Sequence, residues 1–288
     1  MLALHKKRKN KNQLTFFDTL EKIEKSTSTI SELRVPVYAP VMQITKNSAT
    51  FREFSANKNV RRIKTKWGEV EIRNRILTQI HKDLLDLIFS YAKDTRRLDN
   101  GKIVIYFSQS EVMRYYGDQG KNLKWFREKL SELRDAVILY RDNKGNEFDF
   151  NIIANKTFDF DQDMFGIILD DAYVKFFEVG LSVDYRKEVQ ELLKVGSPLL
   201  RSIIRFFFTH QSLNLHVDDL LQAIGFPMES IRSVQTAKKE LKENVAALSK
   251  FGITYDTSKC IFYYNGHKSI HILPPITPAL TTNEDKTP

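Results

Sequence analysis

The sequence has only one cysteine, Cys260, among 288 residues. A single cysteine excludes an intramolecular disulfide and a cage of thiolates around zinc, so we expect a protein of a reducing compartment. No uninterrupted apolar run approaches the roughly 20 residues that a membrane-spanning helix needs. Met1 to Gln13 carry charge but lack the apolar core of a secretion signal. We therefore expect a cytoplasmic protein that binds no membrane.

Patterns that would indicate catalysis on nucleic acids or nucleotides are also missing. A nickase needs two histidines flanking one hydrophobic residue, together with a tyrosine nucleophile, and the sequence has no such triplet. Gly120-Lys121 is followed by Asn122 and lacks the upstream spacing of a phosphate-binding loop. We expect no catalytic residues, so any opening of DNA must come from binding energy.

Two groups of possible metal ligands match known sites poorly. His267 and His271 stand four apart, without further ligands nearby. The aspartates between positions 159 and 163 resemble the start of a calcium loop, but Met164 stands where the turn needs glycine. Asp170 also stands where a bidentate glutamate is expected. We expect neither a metal nor a cofactor.

The sequence does contain apolar mass and basic charge. Hydrophobic residues make up 42% of the chain, with 20 Phe and 11 Tyr, which is enough to bury a core. The length suits two domains of ordinary size. The formal net charge is +9, and residues of both signs make up 28% of the chain, as in soluble proteins that meet a polyanion on one face. Nucleic acid is therefore the leading candidate partner.

The two ends of the chain have weaker patterns than its middle. Lys6 to Lys11 is rich in basic residues, typical of a mobile arm that contacts phosphates or of a solubilising tail. Ser26 to Thr65 carries Pro36 and Pro40 without a sustained period and is interpreted as a linker. Ile272 to Pro288 contains four prolines and predicts a disordered tail. The predicted division is 1–65 as basic arm and linker, 66–160 as the first domain, 161–271 as the second domain, and 272–288 as the tail.

Two stretches of the middle share one order of elements. In the first stretch, Thr78 caps a helix with a broad apolar face that ends near Ala92. A strand follows, then two helices around a glycine-containing turn, then two strand-like runs around a polar loop. These later elements are predicted at Lys102 to Phe107, Gln109 to Tyr116, Lys121 to Arg134, Ala136 to Tyr140 and Phe148 to Ile153.

The second stretch repeats this order after a connecting strand near Phe165 to Leu169. Ser197-Pro198 begins a helix over Leu199 to Thr209 with a thick apolar face. The strand, two helices and hairpin that follow are predicted at Leu213 to His216, Val217 to Ile224, Glu229 to Leu248, Gly252 to Tyr255 and Cys260 to Tyr264. The predicted fold class is α+β, with two tandem winged helix-turn-helix domains and flexible N- and C-terminal segments.

In a winged helix the third helix enters the DNA major groove and the hairpin, or wing, touches the neighbouring backbone. Arg and Gln on such a helix favour sequence-specific contact, and Lys reaches bases or phosphates. Trp125 packs on a sugar or base methyl, or else is a half-buried core residue. The candidate contacts are Lys121, Asn122, Lys124 and Trp125 in the first domain, Arg232, Ser233, Gln235, Thr236 and Lys239 in the second, and Arg141, Lys144 and Lys259 in the wings.

Five segments carry a resemblance to a known family. They are Gly68 to Val70, Arg73 to Arg75, Leu77 to Asp86, Phe107 to Ser110 and Leu199 to Phe208. Through them the chain resembles plasmid replication initiators of the Rep type, nearest to the TrfA-like initiators. The resemblance implies a bacterial protein that binds repeated origin sites (iterons), helps to open the duplex, and recruits the host initiator and helicase. It also implies a switch between homodimers and DNA-binding monomers.

A peptide near the N-terminus adds a possible partner. Its residues Gln13, Leu14, Thr15, Phe16 and Phe17 resemble the pentapeptide with which bacterial proteins bind the replicative sliding clamp, and TrfA-type initiators carry such a motif. The apolar side chains would enter a groove while the glutamine bonds at its rim. The third and fourth residues depart from the preferred ones. The alternative is that the apolar residues form one face of a short docking helix.

Two other functions stay open at this point. A transcriptional repressor would use the same two domains, and a scaffold whose winged helices bind proteins would lack salt-dependent affinity for DNA. Tandem repeats of about 20 base pairs beside the gene would favour an initiator, because two domains each read roughly one helical turn.

Overall fold

The computed structural model describes residues 23–98, 102–116, 122–159, 164–228 and 230–275. These residues form helices and antiparallel strands that are joined by loops, so the fold class is α+β. The described strands form two four-stranded and two three-stranded sheets. One cluster of buried apolar side chains extends from Ile23 to Tyr264, so both halves of the chain share a core.

The first half begins with short elements and continues with longer ones. Its elements are β1 (Ser28–Thr29), α1 (Ile30–Arg34), α2 (Ala49–Ala56), β2 (Val60–Thr65), β3 (Gly68–Arg73), α3 (Gln79–Ser90), β4 (Asp94–Arg97), β5 (Ile103–Ser108), α4 (Gln109–Tyr116), α5 (Leu123–Asp135), β6 (Val137–Asp142), β7 (Glu147–Phe150), β8 (Ile153–Asp159) and β9 (Met164–Leu169). At the start of α3 the backbone N–H of Thr78 donates to Nδ1 of His81 at 3.0 Å. This bond satisfies a free donor at the helix start and confirms the predicted beginning of α3.

The second half continues the same mixture. Its elements are α6 (Asp171–Val179), β10 (Ser182–Asp184), a 3₁₀ turn (Arg186–Glu188), α7 (Val189–Lys194), α8 (Pro198–Phe208), β11 (Leu213–His216), α9 (Val217–Ala223), α10 (Ile231–Glu243), α11 (Val245–Ser249), β12 (Ile253–Asp256), β13 (Ile261–Tyr264) and β14 (His271–Leu273). The Ser197 hydroxyl accepts from the N–H of Leu200 at 3.2 Å, as the predicted capping pair requires. The long helix predicted up to Leu248 is interrupted at Asn244 and forms α10 and α11.

Two sets of elements repeat one arrangement. The first unit consists of α3, β5, α4, α5, β8 and β9, and the second unit of α8, β11, α9, α10, β12 and β13. In both units the first strand, β5 or β11, pairs with the second strand of the hairpin, β9 or β13. The strand orders are therefore β5-β9-β8 and β11-β13-β12. Both α5 and α10 have 13 residues. β4 extends the sheet of the first unit at its edge.

The hairpin predicted next to the first unit forms, but in a different sheet. β6 and β7 belong to the order β2-β3-β6-β7, with Val70 of β3 opposite Tyr140 of β6. The strand predicted as a connection near Phe165 instead pairs with β5, where Phe107 lies opposite Phe165, and with β8. The predicted boundary at 160/161 is therefore wrong, because it separates two paired strands. Ile167 of β9 and Phe107 of β5 are buried in one apolar face, which holds these two strands together across the predicted boundary.

The segment interpreted as a linker is part of the fold where it is described. Ser28 of β1 pairs with Val183 of β10, and the side chain of Arg61 is buried with its guanidinium donating to the carbonyls of Val37 and Gly225. The apolar residues around the two prolines are buried in the common core. They are Val35, Val37, Tyr38 and Ala39.

The boundary of the predicted tail also needs correction. β14 includes Ile272 and Leu273 and pairs with β10, with Ile272 opposite Val183. Two apolar residues that complete a sheet with β1 and β10 gain backbone hydrogen bonds that a tail would leave to water. The structure describes the chain up to Pro275, and the remainder of the predicted tail lies outside the described residues.

Buried charges join the two units where α3 packs against α8. The Arg205 guanidinium donates to Asp86 at 2.9 Å, to Asp83 at 2.6 Å and to the Gln79 side chain at 2.6 Å. Lys82 bonds to Asp86 on the same helix. Burial by itself would lower the pKa of Arg205, but the Asp86 and Asp83 carboxylates raise it above its ordinary value. Each charge of this cluster thus has an opposite partner, and removing one would leave the others uncompensated.

Candidate nucleic-acid interface

α10 presents a polar face to solvent. The hydroxyl of Ser230 accepts a hydrogen bond from the backbone N–H of Ser233 at 3.3 Å, which fixes the start of the helix. Ala237 and Leu241 are buried against the second unit. This orientation leaves the predicted contact residues exposed on the opposite face. They are Arg232, Ser233, Gln235, Thr236 and Lys239.

Few of these exposed side chains are engaged within the protein. The Thr236 hydroxyl donates to the carbonyl of Arg232, one turn earlier, at 2.9 Å. Nζ of Lys239 lies 3.7 Å from a carboxylate oxygen of Glu243. Among the residues that the structure describes, the Arg232 guanidinium and the Gln235 amide have no hydrogen bond or ion pair. These two groups can therefore bond a ligand without first breaking a protein contact.

α10 is fixed on one flank and open on the other. Nζ of Lys238 lies 2.6 Å from the carboxylate of Asp218, which ties α10 to α9. On the other flank a groove of about 550 Å³ separates α10 from Pro40–Gln43 and from the start of α8. Arg232 is among the residues that line this groove. The space beside Arg232 is thus open to a ligand.

α5 is placed like α10 but exposes less. The Asn122 side chain accepts from the backbone N–H of Trp125 at 3.2 Å, so it caps the helix while remaining exposed. Lys124 is exposed, whereas Trp125 is half-buried with its ring 5.3 Å from that of Tyr116. The apolar stripe is buried as its spacing predicts, at Phe126, Leu130 and Leu133. Of the two interpretations of Trp125, the structure places it partly in the core.

A buried histidine anchors α5 to α3. Because Nδ1 of His81 accepts from Thr78, its Nε2 carries the proton and donates to the Glu132 carboxylate at 2.7 Å. Lys129 donates to the same carboxylate at 2.8 Å. Burial lowers the pKa of His81. Burial alone would raise the pKa of Glu132, but the hydrogen bonds from His81 and Lys129 lower it to about 2. The C-terminal half of α5 is therefore engaged within the protein.

The hairpin of the first unit braces the same helix. Nζ of Lys156 in β8 donates to the carbonyl of Arg127 at 2.9 Å and also bonds to Ser131. The Arg127 guanidinium stacks over the Phe158 ring at 4.5 Å. Arg127 of α5 and Lys156 beside it are consequently occupied by contacts within the protein.

The predicted wing residues fall in two hairpins of different sheets. Lys259 lies in the turn between β12 and β13, where the Asp256 carboxylate accepts from its backbone N–H at 3.2 Å and its ammonium group stays exposed. Arg141 and Lys144 lie in the β6 to β7 hairpin, outside the sheets of both units. Arg141 donates to Glu147 at 2.6 Å, and this bond raises the pKa of Arg141. Of the three predicted wing residues, Lys259 lies in a hairpin of one of the two units.

Two groups of predicted site residues lie outside the described residues. One is Lys121, immediately before the cap of α5, and the other is the clamp-like peptide from Gln13 to Phe17. Both remain predictions.

Pro40–Gln43 faces α10 across the groove, and the sequence pattern does not predict this position. The two prolines favoured a linker, yet the apolar spacing of Val35, Val37 and Tyr38 was a signal for burial. In the described part of the chain, no helix is long and apolar enough to cross a membrane. The same residues contain no group of three His, Cys, Asp or Glu side chains that could hold a metal ion.

Comparisons with known proteins give one distant likeness in structure. No model of a protein family matches the chain, and no curated protein matches it. A crystal structure of RctB domains 2-3, covering residues 155–483, is similar with a TM-score of 0.38 and 9% sequence identity. The match covers 71% of this chain and 88% of that chain. Both measures of similarity are low, so the likeness carries no argument about function.

Proposed function

We propose that this chain is a sequence-specific double-stranded DNA-binding protein with two winged-helix units in tandem. The repeated strand order, β5-β9-β8 and β11-β13-β12, supports two units of one plan. In each unit the second of two helices, α5 or α10, would enter the major groove, and the hairpin would contact the backbone. The net charge of +9 suits this polyanionic partner.

The observation that carries the proposal is the pair of unengaged groups on α10. A guanidinium can bond O6 and N7 of guanine, and a side-chain amide can bond N6 and N7 of adenine. Arg232 and Gln235 stand three apart on one exposed helical face, so both would reach the same stretch of the DNA major groove. Ser233, Thr236 and Lys239 supply contacts to phosphates or bases around them.

The first unit and the wings have a supporting role in this proposal. Lys124 and Lys121 would bind phosphates at the start of α5, beside the capping Asn122. Lys259 would bind the backbone next to the site read by α10. Contacts to phosphates fix the position of the protein on the duplex, whereas contacts to bases select the sequence.

The biological role that we propose is initiation of plasmid replication in the bacterial cytoplasm. It rests on the resemblance to Rep-type, TrfA-like initiators. In this role the chain binds repeated origin sites as a monomer, exchanges with a homodimer, and acts by binding instead of catalysis. The Gln13 to Phe17 peptide would bind the sliding clamp, and the host initiator and helicase would be further partners.

DNA binding can be tested by selecting duplexes from a random-sequence pool with the full chain, followed by titrations at several salt concentrations. We expect an enriched motif and an affinity that falls steeply as salt rises, because phosphate binding releases counterions. A chain that enriches no motif and shows no salt-dependent affinity would instead be a scaffold.

The role in replication needs a separate test. A vector without another origin would carry the DNA that flanks the gene, and the chain would be supplied from a second plasmid. We expect the vector to be maintained only when the chain is supplied. Binding to the flanking DNA that silences a promoter there but never maintains the vector would identify a repressor.

A further inference from the structure

Two exposed aliphatic side chains occupy the same position in the two units. Leu123 is the first residue of α5 and Ile231 is the first residue of α10. Each follows a capping residue, Asn122 or Ser230, whose side chain accepts from the backbone N–H three positions further on. The side chains of Leu123 and Ile231 are 39% and 77% exposed. The correspondence therefore includes helix length, capping geometry and the chemistry of the first residue.

These side chains are not needed for the core. In both helices the buried positions begin after the first residue, at Phe126 in α5 and at Ala237 in α10. Large hydrophobic side chains that are comparably exposed elsewhere in the described residues are few. They are Met42, Val179 and Leu181. Two of the five thus lie at matched helix starts, where water is an unfavourable neighbour for them.

The residue after each aliphatic side chain is a cation, Lys124 or Arg232, and both cations are exposed. An apolar side chain next to a cation suits a surface that has negative charge along its border and apolar groups inside that border. The major groove of DNA is such a surface, because phosphates border it and thymine presents a methyl group inside it. The first residues of a recognition helix are those that reach the base edges.

We propose that Leu123 and Ile231 each contact the C5-methyl group of a thymine and so help to determine sequence specificity. This inference rests on the proposed DNA binding and adds two apolar contacts to the polar ones of Arg232 and Gln235. A contact with deoxyribose would bury the same side chains without distinguishing thymine from uracil. The two contacts are thus separable by experiment.

The experiment replaces each thymine of the selected duplex in turn by deoxyuridine, which removes the methyl group and keeps the pairing edges. We expect the wild-type chain to lose about fourfold in affinity at one or two positions, the amount that corresponds to burying one methyl group. Ile231→Ala should bind the duplex with thymine several-fold more weakly than the wild-type chain does. At one of those positions it should bind the thymine duplex and the deoxyuridine duplex equally. Ile231→Val should keep most of the discrimination, and Leu123→Ala should lose it at a different thymine.

Val179→Ala is the matched control, because Val179 is 57% exposed at the end of α6, a helix that belongs to neither unit. It should change neither affinity nor discrimination. Since Ile231 is exposed, its variants should unfold at the wild-type temperature. At every thymine, the loss of affinity caused by deoxyuridine and the loss caused by Ile231→Ala could simply add. Additivity would mean that Ile231 contacts no thymine methyl group, which would overturn the inference and leave DNA binding intact. A wild-type chain that binds no duplex at all would overturn the proposed function itself.

Discussion

α5 and α10 have equal length and the same capping geometry, yet they differ in how much of the outward surface is free. In α5, Glu132 is bonded to His81 and Arg127 is held by Lys156 and Phe158. In α10, the groups of Arg232 and Gln235 have no partner among the described residues. One plan therefore produces two different helices, one braced within the protein and one available to a ligand.

The hairpins provide a physical reason for this difference. β8 and β9 have 7 and 6 residues, whereas β12 and β13 have 4 each. The longer hairpin of the first unit reaches α5, so Lys156 can bond to its backbone and Phe158 can stack on Arg127. The shorter hairpin of the second unit carries Lys259 in its turn, and the outer face of α10 stays open. Within the proposed DNA binding, this difference favours α10 over α5 as the helix that reads bases.

The largest expected effect concerns the contact between the units. Arg205→Met leaves the Asp83 and Asp86 carboxylates buried without their shared partner, so we expect the free energy of unfolding to fall by about 3–5 kcal/mol. Urea unfolding measures this loss. Arg232→Met is the matched control, because that arginine is exposed, and it should stay within about 0.5 kcal/mol of wild type. Similar stabilities for the two variants would contradict a common core.

The next prediction compares the two helices directly. Arg232→Ala and Gln235→Ala should each cost about 1–3 kcal/mol on the selected duplex and relax its sequence preference, because each removes a base contact. Lys124→Ala on α5 should lower affinity to a similar extent on all sequences. Competition titrations with selected and scrambled duplexes measure both effects. Loss of sequence preference from Lys124→Ala alone would reverse our assignment of the two helices.

A smaller effect concerns histidines at the matched helices α3 and α8. Burial lowers the pKa of His81, and burial together with nearby Arg34 lowers the pKa of His210 to about 4. The unfolded chain takes up these protons near pH 6.5, before the folded chain does. Stability should therefore be full above pH 6.5 and should fall as the pH drops toward 4.

Urea unfolding at pH 7 and pH 5 measures this dependence. Because His210 is partly exposed, we expect its contribution over that interval to be on the order of 1 kcal/mol. His210→Asn should reduce the difference between the two pH values. The low pKa of Glu132 affects stability only below about pH 4.5, outside the interval. A chain that becomes more stable at pH 5 would contradict these burial effects.

The smallest expected effect separates the two hairpins that the sequence interpreted as wings. Lys259→Ala should weaken binding evenly across sequences and reduce the salt slope by about one unit. Lys144→Ala should have the smaller effect, because its hairpin belongs to neither unit. Binding constants over a salt series measure both slopes. Equal changes in the two variants would restore the assignment made from sequence.

Local pattern was sufficient to predict much of this molecule. The spacing of Ala237 and Leu241 predicted the buried face of α10, and with it the exposure of Arg232 and Gln235. The capping residue Ser197 predicted the start of α8. Such features depend on neighbours within a few residues, which the sequence shows directly.

Long-range choices could not be predicted in the same way. The strand around Phe165 was found, but its pairing with β5 depends on which apolar faces meet in the core. Asp83 and Asp86 lie on a helix whose charged positions would ordinarily face water, and their partner Arg205 is far away in sequence. Only the packing of α3 against α8 explains why these charges are buried.

The most direct test of our account is the affinity of the full chain for the selected duplex and for a scrambled one, with and without Arg232→Ala and Gln235→Ala. We expect wild type to prefer the selected duplex by at least about 10³-fold, and both affinities to fall as salt rises. The double variant should retain the salt-dependent affinity and lose most of the preference. Equal wild-type affinities for the two duplexes, or a preference that survives both substitutions, would contradict base reading by α10.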